Sequence, residues 1–359
     1  MLRSVLPAVL LAALLLSAAQ AAGTVGFKEA TLPGGSGGRP LHISIWYPTD
    51  DAAPVAEVGA NRVFHGIPAI TNAKPAYAAH PLVVLSHGYG GSWRNLGWLA
   101  ADLVQRGYVV AAPDHPGTTT FDKSPSEAAR LWERPHDLSR VIDALTAGPA
   151  LAGAITPHRI AAIGHSLGGW TVAALAGARF SPGRFLDDCK AQPNPRTCGL
   201  APELGITPTN AGSLDADMSD PRVGAFVSLD LGLARGFTPE SLAAIHVPAL
   251  IFGAGIDIGD LPAKLESGYL AENLPKATTT YIEIPDAMHF SFMQLCKPGA
   301  IELIEQDTPG DGIVCKDGGT RGREAIHDQV AGLILDFLAK ALPEQGPAPS
   351  AETPSPDRH

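Results

Sequence analysis

The sequence predicts a single α/β domain with a doubly wound, mostly parallel sheet, and three observations carry that reading. Short, continuous apolar runs such as residues 81–86 (PLVVLS), 108–112 and 160–163 have the length and composition of strands buried on both faces. Helix-period segments lie between them: residues 136–147 hold Leu138, Val141, Ile142 and Leu145 at i, i+3, i+4 and i+7. Strand and helix then alternate in a rhythm that implies right-handed crossovers within one parallel sheet. A chain of 359 residues has room for such a domain of ~250 to 300 residues with a sizeable core.

Taken in order, residues 1–21 combine Met1-Leu2-Arg3, an apolar run from Val5 to Leu16 and Ser17-Ala18-Ala19-Gln20-Ala21. These are the charged, apolar and small-residue parts of an export signal cleaved near Ala21. The run falls short of the ~20 residues a membrane span needs, and no later segment reaches that length either. The domain is therefore expected over residues 22–342. Residues 41–47 alternate Leu41, Ile43, Ile45 and Tyr47 on one face, which predicts an edge strand ended by Pro48. Residues 48–80 are rich in Pro and Ala with little periodicity and read as a long surface connection.

After the strand at 81–86, Ser92 suits the N-cap of a helix with Leu96, Leu99, Ala100, Leu103 and Val104 on one side, closed by Gly107. Residues 180–222 lose periodicity and gain Pro, Gly, Asp and two cysteines, so they read as a cap-like insertion over the carboxyl edge of the sheet, after the nucleophile helix described below. Strands at 223–229, 249–252 and 279–284 follow. A last helix over 323–342 carries Ile326, Val330, Leu333, Ile334, Phe337 and Leu338 on its apolar face. Residues 343–359 have the composition of a disordered tail.

Charge and cysteine content narrow the function classes. With 26 basic and 36 acidic residues the net charge is −10, which argues against nucleic acid or an anionic membrane surface as the main partner. Cys189, Cys198, Cys296 and Cys315 form two sequence-local pairs, predicting Cys189 with Cys198 and Cys296 with Cys315. There is no C-x-x-C and no His at finger spacing, so a metal site is not expected from them.

The chemistry centres on Gly164-His165-Ser166-Leu167-Gly168-Gly169, set between an apolar strand and a helix of Ala, Leu and Val. This fits G-x-S-x-G, a turn that holds its serine in a strained conformation with the hydroxyl exposed, and that tolerates no bulk at Gly164 or Gly168. A serine hydroxyl needs a base, and the base needs an orienting acid. His289, just after the last strand, suits the base. Two carboxylates compete for the acid: Asp257 follows the strand at 249–252 and Asp230 the strand at 223–229. Asp257 is preferred because its loop is the commoner acid position in this motif order. The oxyanion hole is expected from the backbone N–H groups of Leu167 and of Tyr89, in His87-Gly88-Tyr89-Gly90-Gly91, with the Tyr89 ring lining the acyl pocket. Asp114 and His115 read as bracing a turn or the pocket rim, and Arg134 with Asp137 as a structural ion pair or cap.

The ordered set PLVVLSHGYGGS, RGYVVAAPDHPGTT, RPHDLSRVIDAL, RIAAIGHSLGG and PDAMHFSFM, over about residues 40–342, resembles secreted bacterial members of the α/β-hydrolase superfamily related to dienelactone hydrolase and platelet-activating-factor acetylhydrolase. The resemblance implies the α/β-hydrolase fold and a nucleophile at Ser166, a base at His289 and oxyanion amides at Tyr89 and Leu167. In the acetylhydrolase branch the acid would be Asp230; in the dienelactone and polyester-hydrolase branches it would be Asp257. Dienelactone hydrolases use a cysteine nucleophile where this chain has Ser166. The expected activity is a serine esterase for small or short-acyl carboxylic esters, with a phospholipid-acetyl or polyester hydrolase as the alternative and an inactive exported binding protein as the reading from another class. No metal or organic cofactor is implied, the partner is a small-molecule or lipid ester, and the expected assembly is a monomer or weak homo-oligomer.

Overall fold

The structure is a computed structural model that describes residues 24–34, 38–194, 196–258 and 261–344. The expected export signal and nearly all of the expected tail lie outside the described residues. Among the described residues ten strands form one sheet: β1 (Thr24–Leu32), β2 (Leu41–Thr49), β3 (Ala56–Val58), β4 (Ile67–Thr71), β5 (His80–Ser86), β6 (Val109–Pro113), β7 (Ile155–His165), β8 (Val223–Leu229), β9 (Ala249–Ile256) and β10 (Thr279–Met288). Their spatial order is β10-β9-β8-β7-β5-β6-β2-β1-β4-β3. From β6 to β10 every neighbour is parallel, as the apolar runs predicted.

The helices are α1 (Gly97–Gln105), α2 (Pro125–Ala128), α3 (Glu133–Thr146), α4 (Leu167–Leu175), α5 (Pro182–Ala191), α6 (Ala211–Leu214), α7 (Pro239–Ala243), α8 (Ser267–Asn273), α9 (Ala300–Asp307) and α10 (Arg323–Ala341). Strand β5 shows why its sequence is continuously apolar. Leu82 and Val84 enter the core with α3 and α4, while Val83 and Leu85 enter a second core with α1 and α10. Both faces are covered, so no position on the strand is free to be polar.

The amino-terminal third departs from expectation. Strand β2 is not an edge: it pairs antiparallel with β1 on one side and β6 on the other. Residues 48–80 contain β3 and β4, which carry the sheet outward beyond β1. These outer strands are short or half exposed, and β4 includes Pro68, so backbone pairing rather than an apolar pattern holds them. Both disulfides connect as expected, Cys189–Cys198 and Cys296–Cys315. The second closes a segment carrying α9 for which the sequence reading assigned no element.

Candidate active site

Ser166 occupies the turn between β7 and α4 with φ 57° and ψ −121°, a left-handed backbone that a serine adopts only when its surroundings force it. The flanking glycines are the reason the turn can close. A Cβ at Gly164 would lie 2.0 Å from the Gly168 carbonyl oxygen, and one at Gly168 would lie 1.9 Å from that of Ser86. The Ser166 N–H donates to Leu229 O at 3.0 Å, which ties the turn to the end of β8.

That tie brings the carboxylate of β8 to the site. Asp230, the next residue, has φ 45°, is buried, and its Oδ2 lies 2.6 Å from His289 Nδ1. On the other side of the ring, His289 Nε2 is 3.0 Å from Ser166 Oγ. Asp230 Oδ1 accepts the Ala254 N–H at 2.8 Å, so both of its oxygens are committed. With a carboxylate on Nδ1, the ring carries its proton there and offers a bare Nε2 to the serine hydroxyl.

Asp257, the preferred acid of the sequence reading, is not in this arrangement. Strand β9 does not stop at Phe252 but continues to Ile256, four residues on, or about 13 Å farther along the strand. Asp257 is exposed, and its Oδ1 accepts the Leu261 N–H at 2.8 Å.

The His289 turn is held from several sides. His165 Nε2 lies 2.8 Å from His289 O, and the two rings sit 4.7 Å apart. Burial keeps His165 well below the usual histidine range, so it is neutral and donates Nε2–H to that carbonyl. Trp98 Nε1 donates to Phe292 O at 2.9 Å and stacks at 3.8 Å on His327, which burial holds neutral, down to about 3.

The two expected oxyanion donors both border the serine. Leu167 is the first residue of α4, where a helix leaves its N–H unused. Among the described residues the Tyr89 N–H takes no part in the hydrogen bonds of its turn, which run from Gly90 N to Thr118 O and Gly91 N to Gly88 O. The Tyr89 hydroxyl donates to the Glu203 carboxylate, linking this turn to the 180–222 segment.

Two cavities meet at Ser166 and His289, with Tyr89 bordering both. The smaller, about 40 Å³, is lined by Leu167, Thr197, Leu200, Leu204, Leu233 and Leu261. The larger, about 570 Å³, is walled by Phe64, Phe121, Phe290, Met293, Ile304 and Val314. The segment at 180–222 therefore supplies one wall of the small pocket, through Thr197, Leu200 and Leu204. The large one draws on residues 61–64, the turn at 88–95, residues 120–121 and the stretch from His289 to Val314, the last part of which the second disulfide closes.

The alpha/beta hydrolase family matches this chain over residues 83–297. Among characterised relatives, cutinase est1 of Thermobifida alba is 25% identical over 212 residues, covering 58% of this chain and 53% of that protein. Bis(hydroxyethyl) terephthalate hydrolase of Streptomyces coelicolor is 26% identical over 211 residues, covering 58% and 50%. The chain thus spans about half the length of these relatives. Among solved structures, a ferulic acid esterase from Streptomyces cinnamoneus superposes with a TM-score of 0.61 at 22% identity, covering 93% of this chain and 94% of that one, a likeness of fold.

Proposed function

The chain belongs to the alpha/beta hydrolase family, and on that premise we propose that it is a serine hydrolase that cleaves small or short-acyl carboxylic esters through an acyl-enzyme. The observation that carries this is the relay from Ser166 through His289 to Asp230, at 3.0 and 2.6 Å, opening onto two cavities. His289 Nε2 takes the Ser166 proton as Oγ attacks the ester carbonyl, and Asp230 stabilises the imidazolium that forms. The N–H groups of Tyr89 and Leu167 receive the oxyanion. His289 then protonates the leaving alcohol, and water deacylates the enzyme by the same route.

The pocket of about 40 Å³ suits an acyl group of a few carbons, and the larger aromatic-lined cavity suits the bulkier half of the ester. An acid after β8 matches the acetylhydrolase branch of the resemblance. The polyester reading rests instead on the names of the cutinase and terephthalate-ester relatives and on the aromatic walls. The two disulfides support export to an oxidising compartment.

Hydrolysis of nitrophenyl acetate, butyrate, octanoate and palmitate by the native chain and by Ser166→Ala tests the proposal, alongside fluorophosphonate labelling. Turnover that depends on Ser166 and drops sharply beyond about eight carbons is expected from a pocket of this size. Flat activity through palmitate sinks the short-acyl reading; a native chain that takes no label sinks the enzyme reading and favours a binding protein.

A further inference from the structure

Arg134 on α3 is 1% exposed, yet none of its hydrogen-bond partners among the described residues is a carboxylate. Nε donates to Thr171 Oγ1 at 2.9 Å, Nη1 to Thr118 Oγ1 at 2.6 Å, and Nη2 to Ser86 Oγ at 3.3 Å and to the His87 carbonyl. Asp137 is near enough to act on Arg134 through space, but among the described residues it accepts no hydrogen bond from it. Asp137 binds Arg39 at 2.7 Å, Arg140 at 3.4 Å and His115 at 3.0 Å. Burial pulls the Arg134 guanidinium down to about 9, which leaves it charged at neutral pH. The nearby rings of His87 and His115 are kept neutral, first by burial and then by this charge. A buried cation whose direct partners are all neutral oxygens is costly to fold around, so what it grips is informative.

Each arm ends on a group that shapes the oxyanion site. The His87 carbonyl lies two residues before Tyr89. Thr118, held by Nη1, accepts the Gly90 N–H on its own carbonyl at 2.9 Å, one residue after Tyr89. Thr171, held by Nε, donates its hydroxyl to Leu167 O at 3.0 Å, in the first turn of α4. One rigid fork therefore brackets the Tyr89 turn on both sides and reaches the residue that presents the second amide.

We propose that Arg134 is a positioning residue that fixes the Tyr89 and Leu167 amides relative to each other and aligns both turns with its buried charge. The proposal rests on the serine-hydrolase reading above and adds to it a residue that touches neither substrate nor relay. Its effect belongs to the transition state, where the oxyanion exists, and not to substrate binding.

The test measures kcat and KM on a butyrate ester, affinity for a boronic-acid analogue of the tetrahedral state, and melting temperature, in native protein, Arg134→Lys, Arg134→Gln, Thr171→Val and Thr118→Val. Loss of alignment at one or both donors predicts kcat about 10- to 100-fold lower in the Arg134 variants, KM within about twofold, and analogue affinity weakened in step with kcat. Lysine should fail to rescue, since one ammonium cannot span acceptors that the planar fork reaches together. Thr171→Val, which cuts one arm, should lose kcat by a smaller factor. A folded Arg134→Lys with native kcat, or a loss confined to KM, overturns the proposal. If both Arg134 variants fail to fold, the threonine variants decide: native kcat and native analogue affinity in both overturn it, and a fall in both quantities supports it. Absence of Ser166-dependent turnover in the native chain would instead remove the underlying reading.

Discussion

Replacing Asp230 with asparagine changes one oxygen in a site where both are committed. Asparagine can keep its oxygen on the Ala254 N–H, where Oδ1 now accepts at 2.8 Å. Its amide nitrogen then faces His289 Nδ1, at a position where a carboxylate oxygen now stands 2.6 Å away. Two donors cannot share that contact, so the ring relieves it by moving its proton to Nε2. Nε2–H then points at Ser166 Oγ, 3.0 Å away, and can no longer accept the serine proton.

A tautomer locked in the wrong state costs ~10⁴ in kcat where the same triad has been altered this way, or about 5.5 kcal/mol in activation free energy. Asp257→Asn should stay within about twofold of native, because the asparagine oxygen can still accept the Leu261 N–H. The assay is steady-state hydrolysis of a soluble butyrate ester, with circular dichroism to establish folding and the rate of fluorophosphonate labelling as an independent readout. A folded Asp230→Asn within tenfold of native, together with an Asp257→Asn slowed a hundredfold, would refute the assignment.

Gly168→Ala would drive a Cβ to 1.9 Å from the Ser86 carbonyl oxygen, a backbone atom with no freedom to retreat, so a loss of about 3 kcal/mol is expected on denaturant titration, with activity falling alongside. Removing Cys296–Cys315 by double Ser substitution opens a loop of 19-residue separation and should cost about 3 kcal/mol; because Ile304 and Val314 of that segment line the larger cavity, turnover of bulky esters should suffer more than that of acetate. Glu266, buried with Oε2 on the Ala234 N–H at 2.7 Å, is pushed up to about 7 by burial despite the opposing pull of Arg235. A carboxyl whose folded pKa exceeds its unfolded one contributes stability that is complete below the unfolded value and fades as pH rises toward the folded one. The Glu266→Gln variant should therefore gain on native protein in urea midpoint as pH goes from about 5 to about 7.5, and a gap that does not change with pH would contradict the shift.

The parallel half of the sheet was legible because its strands are apolar on both sides, and their boundaries fell within a few residues of the observed ones. The antiparallel extension was not. In β1 the outer positions are exposed in alternation with half-buried ones, and β3 spans three residues, so backbone pairing with the next strand in the chain, and not an apolar pattern, defines these strands. The preference for Asp257 over Asp230, the carboxylate that the structure sets on His289, has a related origin. Gly253-Ala254-Gly255 after the apolar run reads as the opening of a loop, yet Gly253 and Ala254 stay in the ladder with β10, which resumes at Ile256 after a register shift. Those glycines serve close approach: a Cβ at Gly255 would lie 2.5 Å from Pro285 Cα, and one at Gly253 would lie 2.8 Å from the Tyr281 hydroxyl. Glycine in a strand that another backbone crowds looks, in one dimension, like glycine in a turn.

The molecule also holds a second serine, histidine and aspartate in the same relation. Ser86 Oγ lies 2.9 Å from His115 Nε2, and His115 Nδ1 lies 3.0 Å from Asp137 Oδ2. Distances alone do not separate this relay from that of Ser166. Access and backbone do: Ser86 and His115 are fully buried, and Ser86 closes an ordinary strand, whereas Ser166 has positive φ and borders both cavities. The sealed relay gains another meaning from what surrounds it. Arg134 donates to Ser86 and Arg39 to Asp137, so its hydroxyl and carboxylate serve as fixed acceptors for buried cations. The Ser86 carbonyl, in turn, presses on Gly168. The inner relay is thus part of the frame against which the outer serine is strained, and its chemistry is to stay still.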